Sequence, residues 1–271
     1  TVAQGEPVTV SHPRLVIRAG ESSEAAVLES YGAIGDGVSF TNAVTEIVAD
    51  KNATLRHYKL ELESENAFHM ASQQVHQSRD SSVRTHNICL GGKLTRNDLN
   101  AELVEENAEC LMNGLFALHG DQHCDNHTLI DHIAPNCESH QLYKGILDGQ
   151  SRGVFLGRIF VDPEAQRTNA DQHNPNLLLS KEALVNTTPQ LEIFADDVRC
   201  THGSTFGQLD EEGIFYMRTR GIDHATARAV LTYAFAAEVT ETIQLEPVRE
   251  RVNDLVLSRL PKGDMAREAL E

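Results

Sequence analysis

Phe155-Leu156-Gly157-Arg158-Ile159-Phe160-Val161 places Phe155, Gly157, Ile159 and Val161 on one parity, the period-two pattern of a strand with one buried face. The same alternation recurs in Tyr58-Leu60-Leu62, Met112-Gly114-Phe116-Leu118 and Leu191-Ile193-Ala195. Short runs of this kind, broken by Gly, Asn, Asp and Pro, fill the chain from about residue 8 to about residue 206. The exception is Thr41 to Ala49, which follows the turn Gly35-Asp36-Gly37 and reads as a short helix. So long a stretch without amphipathic helices excludes a doubly wound sheet, whose parallel strands are joined by helical crossovers. Sandwich, barrel, propeller and parallel β-helix remain. Aromatic residues make up 5% of the chain and Trp is absent, while the strand faces carry Val, Leu, Ile, Ala and Cys. That composition favours an all-β solenoid with an interior of stacked aliphatic side chains. No exact repeat is legible. Asn and Asp clusters such as Asp125-Asn126-His127, Asn136-Cys137 and Asn174-Pro175-Asn176 suit its corners.

After Gly207 the pattern changes. Asp210 to Arg220 carries acids first and bases last, with Gly221 just beyond, which is the order the helix dipole favours. Asp223 caps a second helix with Ala227, Val230, Leu231, Ala234 and Phe235 on one face. Pro247 opens a third, with Val248, Val252, Leu255 and Val256, before Pro261. The chain therefore divides into a β-helix core, 1–207, and a small C-terminal helical region, 208–271.

A net charge of −17 without basic clusters argues against nucleic acid or an anionic membrane surface as a partner. No apolar run is long enough to span a membrane, and Thr1 to Val10 lacks the basic and apolar parts of a signal peptide, so the chain reads as soluble. The chain starts at Thr1 with Pro7 to Ile17 already strand-like, which suggests that an N-terminal part precedes it. Five cysteines (Cys89, Cys110, Cys124, Cys137 and Cys200) without a C-x-x-C pair argue against a disulfide framework and a structural zinc site, and fit a reducing compartment.

Three stretches invite chemistry. His119, His123 and His127 would share one face of a helix, but Gly120, the Asp-containing turns and the β-branched Thr128 and Ile130 read as strand-turn-strand, so hydrogen-bonded histidines are expected rather than a metal site. Glu192, Asp196 and Asp197 could serve acid–base chemistry in a polysaccharide-active β-helix enzyme, although paired acids on a solvated turn are ordinary in so acidic a chain. No G-x-S-x-G, Walker loop or G-x-G-x-x-G occurs. In Cys200-Thr201-His202 a thiol and an imidazole two residues apart stand side by side on one strand face.

That last pair lies in Pro189 to Gly221, PQLEIFADDVRCTHGSTFGQLDEEGIFYMRTRG, which resembles the C-terminal signature of the SufB/SufD family of iron–sulfur cluster assembly proteins. Tyr143-Lys144-Gly145-Ile146-Leu147, Gly153 to Gly157, Ala165-Gln166-Arg167-Thr168 and Asn176 to Ser180 match the family in the same order, over most of residues 110–245. Cys-x-His-Gly-x-Thr followed by Gly207-Gln208-Leu209-Asp210 is most similar to the SufD branch, with Ser204 where the familiar form has Ala. The resemblance implies a right-handed parallel β-helix followed by C-terminal helices. It also implies a non-enzymatic scaffold of the SUF system, in a bacterial cytoplasm or a plastid stroma. A further helical N-terminal domain, usual in the family, is not within these residues. As implied partners, a SufB-like paralogue pairs through the β-helix and a SufC-like ABC-type ATPase docks on the helices, with Phe215, Val230, Leu231 and Phe235 as contact residues. In isolation a homodimer is implied. His202 and Cys200 fall on the cluster-assembly interface, His202 as a metal ligand shared with the partner, and the iron–sulfur cluster there is transient. Complexes of the family also carry reduced flavin, which the resemblance does not assign to this chain. Besides the polysaccharide-active enzyme, a purely structural β-solenoid for protein contacts stands as a rival reading.

Overall fold

The computed structural model describes residues 8–270. Residues 1–7 of the expected solenoid segment, including Pro7, and Glu271 lie outside the described residues. The strands are β1 (Thr9–Ser11), β2 (Arg14–Ala19), β3 (Glu24–Gly32), β4 (Ser39–Ala49), β5 (Thr54–Leu62), β6 (Phe68–Gln77), β7 (Ser82–Cys89) and β8 (Leu94–Leu103). They continue as β9 (Glu109–Leu118), β10 (His123–His132), β11 (Glu138–Leu147), β12 (Arg152–Val161), β13 (Asn169–Leu178), β14 (Leu184–Ile193) and β15 (Arg199–Gly207). Four helices follow: α1 (Glu211–Thr219), α2 (His224–Thr240), α3 (Glu246–Arg259) and α4 (Gly263–Leu270).

From β3 onward the strands alternate between two parallel sheets. One runs β1-β4-β6-β8-β10-β12-β14, with β2 also on β4, and the other runs β15-β13-β11-β9-β7-β5-β3. This is a parallel β-helix, one strand of each sheet per coil. The repeat escapes the sequence because the coil length drifts: Phe68 stacks on Leu94, 26 residues on, whereas Arg152 stacks on Leu184, 32 residues on.

The corners are built from left-handed backbone. Ser22, Asn52, Asp80, Asn107, Asn136 and Arg167 all have φ between 57° and 62°. The first five also donate their N–H to the carbonyl just before the left-handed residue of the next coil, as in Asn52 to Arg79 at 2.9 Å and Asn136 to Gln166 at 2.9 Å, and Arg167 N donates to Asp197 O. Asn and Asp enter this region at little cost because their short side chains bond locally. Asn136-Cys137 sits at such a corner, but Asp125-Asn126-His127 and Asn174-Pro175-Asn176 lie within β10 and β13.

Thr41 to Ala49 is strand, not helix. Its β-branched Thr41, Val44, Thr45, Ile47 and Val48 favour the pleat, and its alternating burial places Ala43, Thr45, Ile47 and Ala49 inward. In β5 the apolar parity Tyr58-Leu60 faces outward, and the inward parity is Leu55, His57, Lys59 and Glu61. The reason is the helical region. Tyr58, Leu60, Ile88, Leu115 and Ile146, on the outer face of the second sheet, pack against Ala236, Val239, Ile243, Val248, Val252 and Val256. The helices are thus a layer on the solenoid's flank, held also by Lys144, whose Nζ lies 2.6 Å from Glu238 and over the Phe235 ring.

The interior is less purely aliphatic than its composition suggests. Phe116, Tyr143 and Phe155 fill its middle, Tyr143 and Phe155 with centroids 5.2 Å apart. Gly114 and Gly145 make room: a Cβ there would run into the Tyr143 and Phe116 rings. Nearer the N-terminal coils the interior is charged. Lys59 bonds Glu61 and Asn97, His69 Nδ1 lies 2.7 Å from Glu63, and His57 meets Glu29 at 2.8 Å. Burial raises the Glu29 carboxyl, but hydrogen bonds from His57 and Tyr31 outweigh it and hold it at about 2.

α1 and α2 begin on the expected caps, the Asp210 carboxylate accepting from Glu212 N and the Asp223 carboxylate from Ala225 N and Thr226 N. α3 has Pro at its start. α2 ends at Thr240, and α4 has no counterpart among the helices expected from the sequence.

Candidate functional site

Each inner column of side chains is covered by the next coil until the coils stop. β14 pairs only with β12, and β15 only with β13, among the described residues. In β12 the inward Gly153, Phe155, Gly157 and Ile159 are buried, whereas their register partners Val185, Thr187, Pro189 and Leu191 are only half-buried. In β13 the inward Ala170, Gln172 and Asn174 are at most 2% exposed. Cys200, His202 and Ser204 stack directly on those three. In-register parallel stacking keeps side-chain direction, so Cys200 and His202 both belong to the inner column. Cys200 is half-buried and His202 exposed. The imidazole reaches solvent because nothing is stacked on it, not because it points outward.

Cys200 packs against the apolar cluster of Ile159, Val161, Ala165, Ala170 and Ala195. Burial pushes its thiol up, partly offset by a backbone hydrogen bond from Ala170. Around this end stand exposed apolar side chains: Leu184 (53%), Ile193 (38%), Phe194 (59%) and Phe206 (70%). Unpaired backbone edges, an apolar rim and two soft or borderline donors therefore coincide on one surface. No group of three or more His, Cys, Asp or Glu is disposed to hold a metal among the described residues. Cys200 and His202 supply at most two ligands.

The other candidates resolve as structure. His119 pairs with Glu65 at 2.8 Å and His127 with Asp125 at 3.0 Å. His132 is buried against Ser139 Oγ at 2.8 Å. Residues 123–132 form one unbroken strand, so the Asp-containing turn expected inside this run is absent, and the histidines do not converge. Glu192 reaches Arg158 at 3.4 Å, and Asp197 serves a corner, its carbonyl accepting from Arg167 N.

Of the four apolar residues expected on the helices, Phe215 is 67% exposed beside Tyr216 at 56%. Val230 is buried against Ala229, Leu257 and Ala266. Leu231 and Phe235 are half-buried against Leu177, Leu209, Ile214 and Ala227. The face that carries Val230, Leu231 and Phe235 is turned toward the chain itself, whereas Phe215 and Tyr216 are exposed on α1, with Arg220 over the Tyr216 ring. Phe194 and Phe206 were missed as rim residues: both sit inside Pro189 to Gly221, but their exposure follows from being on the last coil, which alternation cannot reveal.

A family model described as "SUF system FeS cluster assembly, SufBD core domain" matches residues 1–235. The chain belongs to the SufBD family. Among its SufBD relatives, the iron–sulfur cluster assembly protein SufD of Escherichia coli (strain K12) is 38% identical over 259 residues, which cover 96% of this chain and 61% of that protein. A SufBD family protein of Synechocystis is 36% identical over 96% of this chain and 59% of its own length. The chloroplastic protein ABCI7 of Arabidopsis thaliana is 34% identical over 93% of this chain and 54% of its own length. The chain thus spans roughly three fifths of the SufBD relatives it matches. No helix among the described residues is long and apolar enough to cross a membrane.

Proposed function

We propose that this SufBD chain is a SufD-like, non-enzymatic scaffold subunit on which an iron–sulfur cluster is built and from which it is passed on. The observation that carries the reading is the uncovered end of the solenoid, where Cys200 and His202 stand in the inner column with too few neighbouring donors for a complete site. A cluster requires thiolates, with imidazole able to replace one, and commonly four protein ligands. The missing ligands come from a second chain whose own solenoid end covers this one, and a SufB-like paralogue is the partner that fits. The apolar rim of Leu184, Ile193, Phe194 and Phe206 and the open edges of β14 and β15 give that partner its contact. A site split between subunits releases its cargo when they shift. The SufC-like ATPase that drives the shift docks on the helical region, with Phe215 and Tyr216 as its exposed apolar contacts. The bacterial and chloroplastic relatives support a bacterial cytoplasm or a plastid stroma as the compartment.

The test is His202→Ala in a complex co-expressed with SufB-like and SufC-like partners. Cluster content after anaerobic iron and sulfide loading, read from the visible spectrum, is expected to fall severalfold with complex composition unchanged. Undiminished cluster yield would refute the role of His202.

A further inference from the structure

Cys89 closes β7 and Cys124 is the second residue of β10, 35 residues later, yet their sulfurs lie 3.5 Å apart where the two sheets meet. Both are essentially without solvent exposure, packed with Phe116, Leu118 and Leu147. Cys137, by contrast, turns its sulfur to the carbonyls of Glu105 and Pro135. The surroundings of the pair are polar on one side. Asn126 Nδ2 donates to Cys124 Sγ at 3.3 Å, Asn126 Oδ1 accepts from Asn97, and Asn97 Oδ1 accepts from Lys59 Nζ at 2.8 Å. Cys124 Sγ thus faces an amide hydrogen, and the amides behind it lead to the Lys59–Glu61 ion pair. On the other side, Leu90 and Gly91, adjacent to Cys89 in the chain, line a surface cavity of about 480 Å³ together with Glu63 and Arg259. Cys89 is pushed well above the ordinary thiol range, first by its hydrogen bond with Cys124 and then by burial, and stays protonated.

We propose that Cys89 and Cys124 form a peroxide-responsive dithiol, a modification site closed inside the solenoid. The Cys124 thiolate attacks the terminal oxygen of a hydroperoxide, the O–O bond breaks, and Cys124 becomes a sulfenic acid while the departing oxygen takes a proton. The Cys89 sulfur then displaces hydroxide from the sulfenic sulfur, and its own proton leaves with that hydroxide as water. For hydrogen peroxide the balance is two thiols plus H2O2 giving one disulfide plus two waters. A dithiol reductant reverses the change. Burial makes the response slow and restricts it to oxidants small and uncharged enough to enter.

The experiment treats the reduced chain with hydrogen peroxide, blocks free thiols under denaturing conditions and maps the peptides. The expected result is a peptide pair joining Cys89 to Cys124 and a mass loss of about 2 Da that dithiothreitol reverses. Cys110→Ser keeps that loss and Cys89→Ala abolishes it. Free, alkylatable Cys89 and Cys124 at a peroxide dose that has converted the more exposed Cys200 to its sulfinic acid would overturn the proposal, and this readout needs no variant to fold.

Discussion

Lowering the pH from 7 to 5 should cost this protein much of its stability through two buried histidines. His86 is 1% exposed beneath the helical layer and His132 0% exposed inside the solenoid. Burial draws each down to about 4 from the ordinary 6.5, His86 also under the influence of Arg84 and His57. The folded chain therefore refuses protons that the unfolded chain takes up below pH 6.5. Stability from this source is complete above that value, drains away as pH falls toward 4, and falls no further once both states are protonated. At pH 5 protonation of either histidine shifts the folding equilibrium toward the unfolded state by a factor of about 30, about 2 kcal/mol each and about 4 kcal/mol for the pair. Glu29, held at about 2, titrates from its unfolded value of 4.5 downward, below this window, while Asp131, raised by burial and by Asp162 and Glu102, takes up its proton more readily in the folded chain and offsets part of the loss equally in parent and variant. Urea unfolding followed by circular dichroism at both pH values measures the difference. The chain carrying both His86→Gln and His132→Gln, whatever its absolute stability, should lose about 4 kcal/mol less across the window than the parent. Equal losses in the two proteins would refute the assignment.

Two further outcomes follow from single contacts. Thr242 Oγ1 donates to Val239 O at 2.6 Å and so must accept from both His86 Nε2 at 2.8 Å and Asn113 Nδ2 at 2.9 Å, which fixes the histidine's proton on Nε2. Thr242→Val keeps the shape and strands both buried donors, so urea unfolding should show a loss of about 2 to 4 kcal/mol. At the corner residue Asn136, with φ of 60°, substitution by Ala should cost about 1 to 2 kcal/mol while Gly costs much less, and equal costs for the two would show that backbone conformation is not what the corner selects.

Alternation was a faithful guide wherever a strand had one covered face. Phe155, Ile159 and Val161 point inward as the parity of that run requires. It misled in β5, where both faces are covered: Tyr58 and Leu60 belong to the helix-facing side, and the inward side carries Lys59 and Glu61, which pair with each other, and His57, which bonds Glu29. Period-two reading ranks faces by apolarity and cannot see a charged interior. At Thr41 to Ala49 the preceding glycine turn resembles a helix start, but the β-branched residues of the segment decide for strand. The helical caps at Asp210 and Asp223 were legible because a cap is a local interaction, whereas the docking of those helices on the second sheet brings together residues more than a hundred positions apart, such as Tyr58 and Ile243. The Cys89–Cys124 approach left no sequence signal at all, since the coil length that brings them together is irregular.

The open end also ranks its own two donors. Cys200 stacks on Ala170 within an apolar cluster, and the same burial that fixes its position keeps its proton on, so capture of a metal there must expel that proton. His202 stacks one alternate position further along the column, over the buried amide of Gln172, and stands clear in solvent. Its ring has no apolar cluster to leave before a nitrogen can meet a metal. On the proposed assembly scheme His202 is therefore the donor ready before the partner arrives. Cys200 becomes one only when a covering chain, or the metal itself, changes the surroundings that now hold its thiol neutral. On that scheme the order of engagement is set by the last coil, which leaves the histidine exposed and the cysteine half-buried.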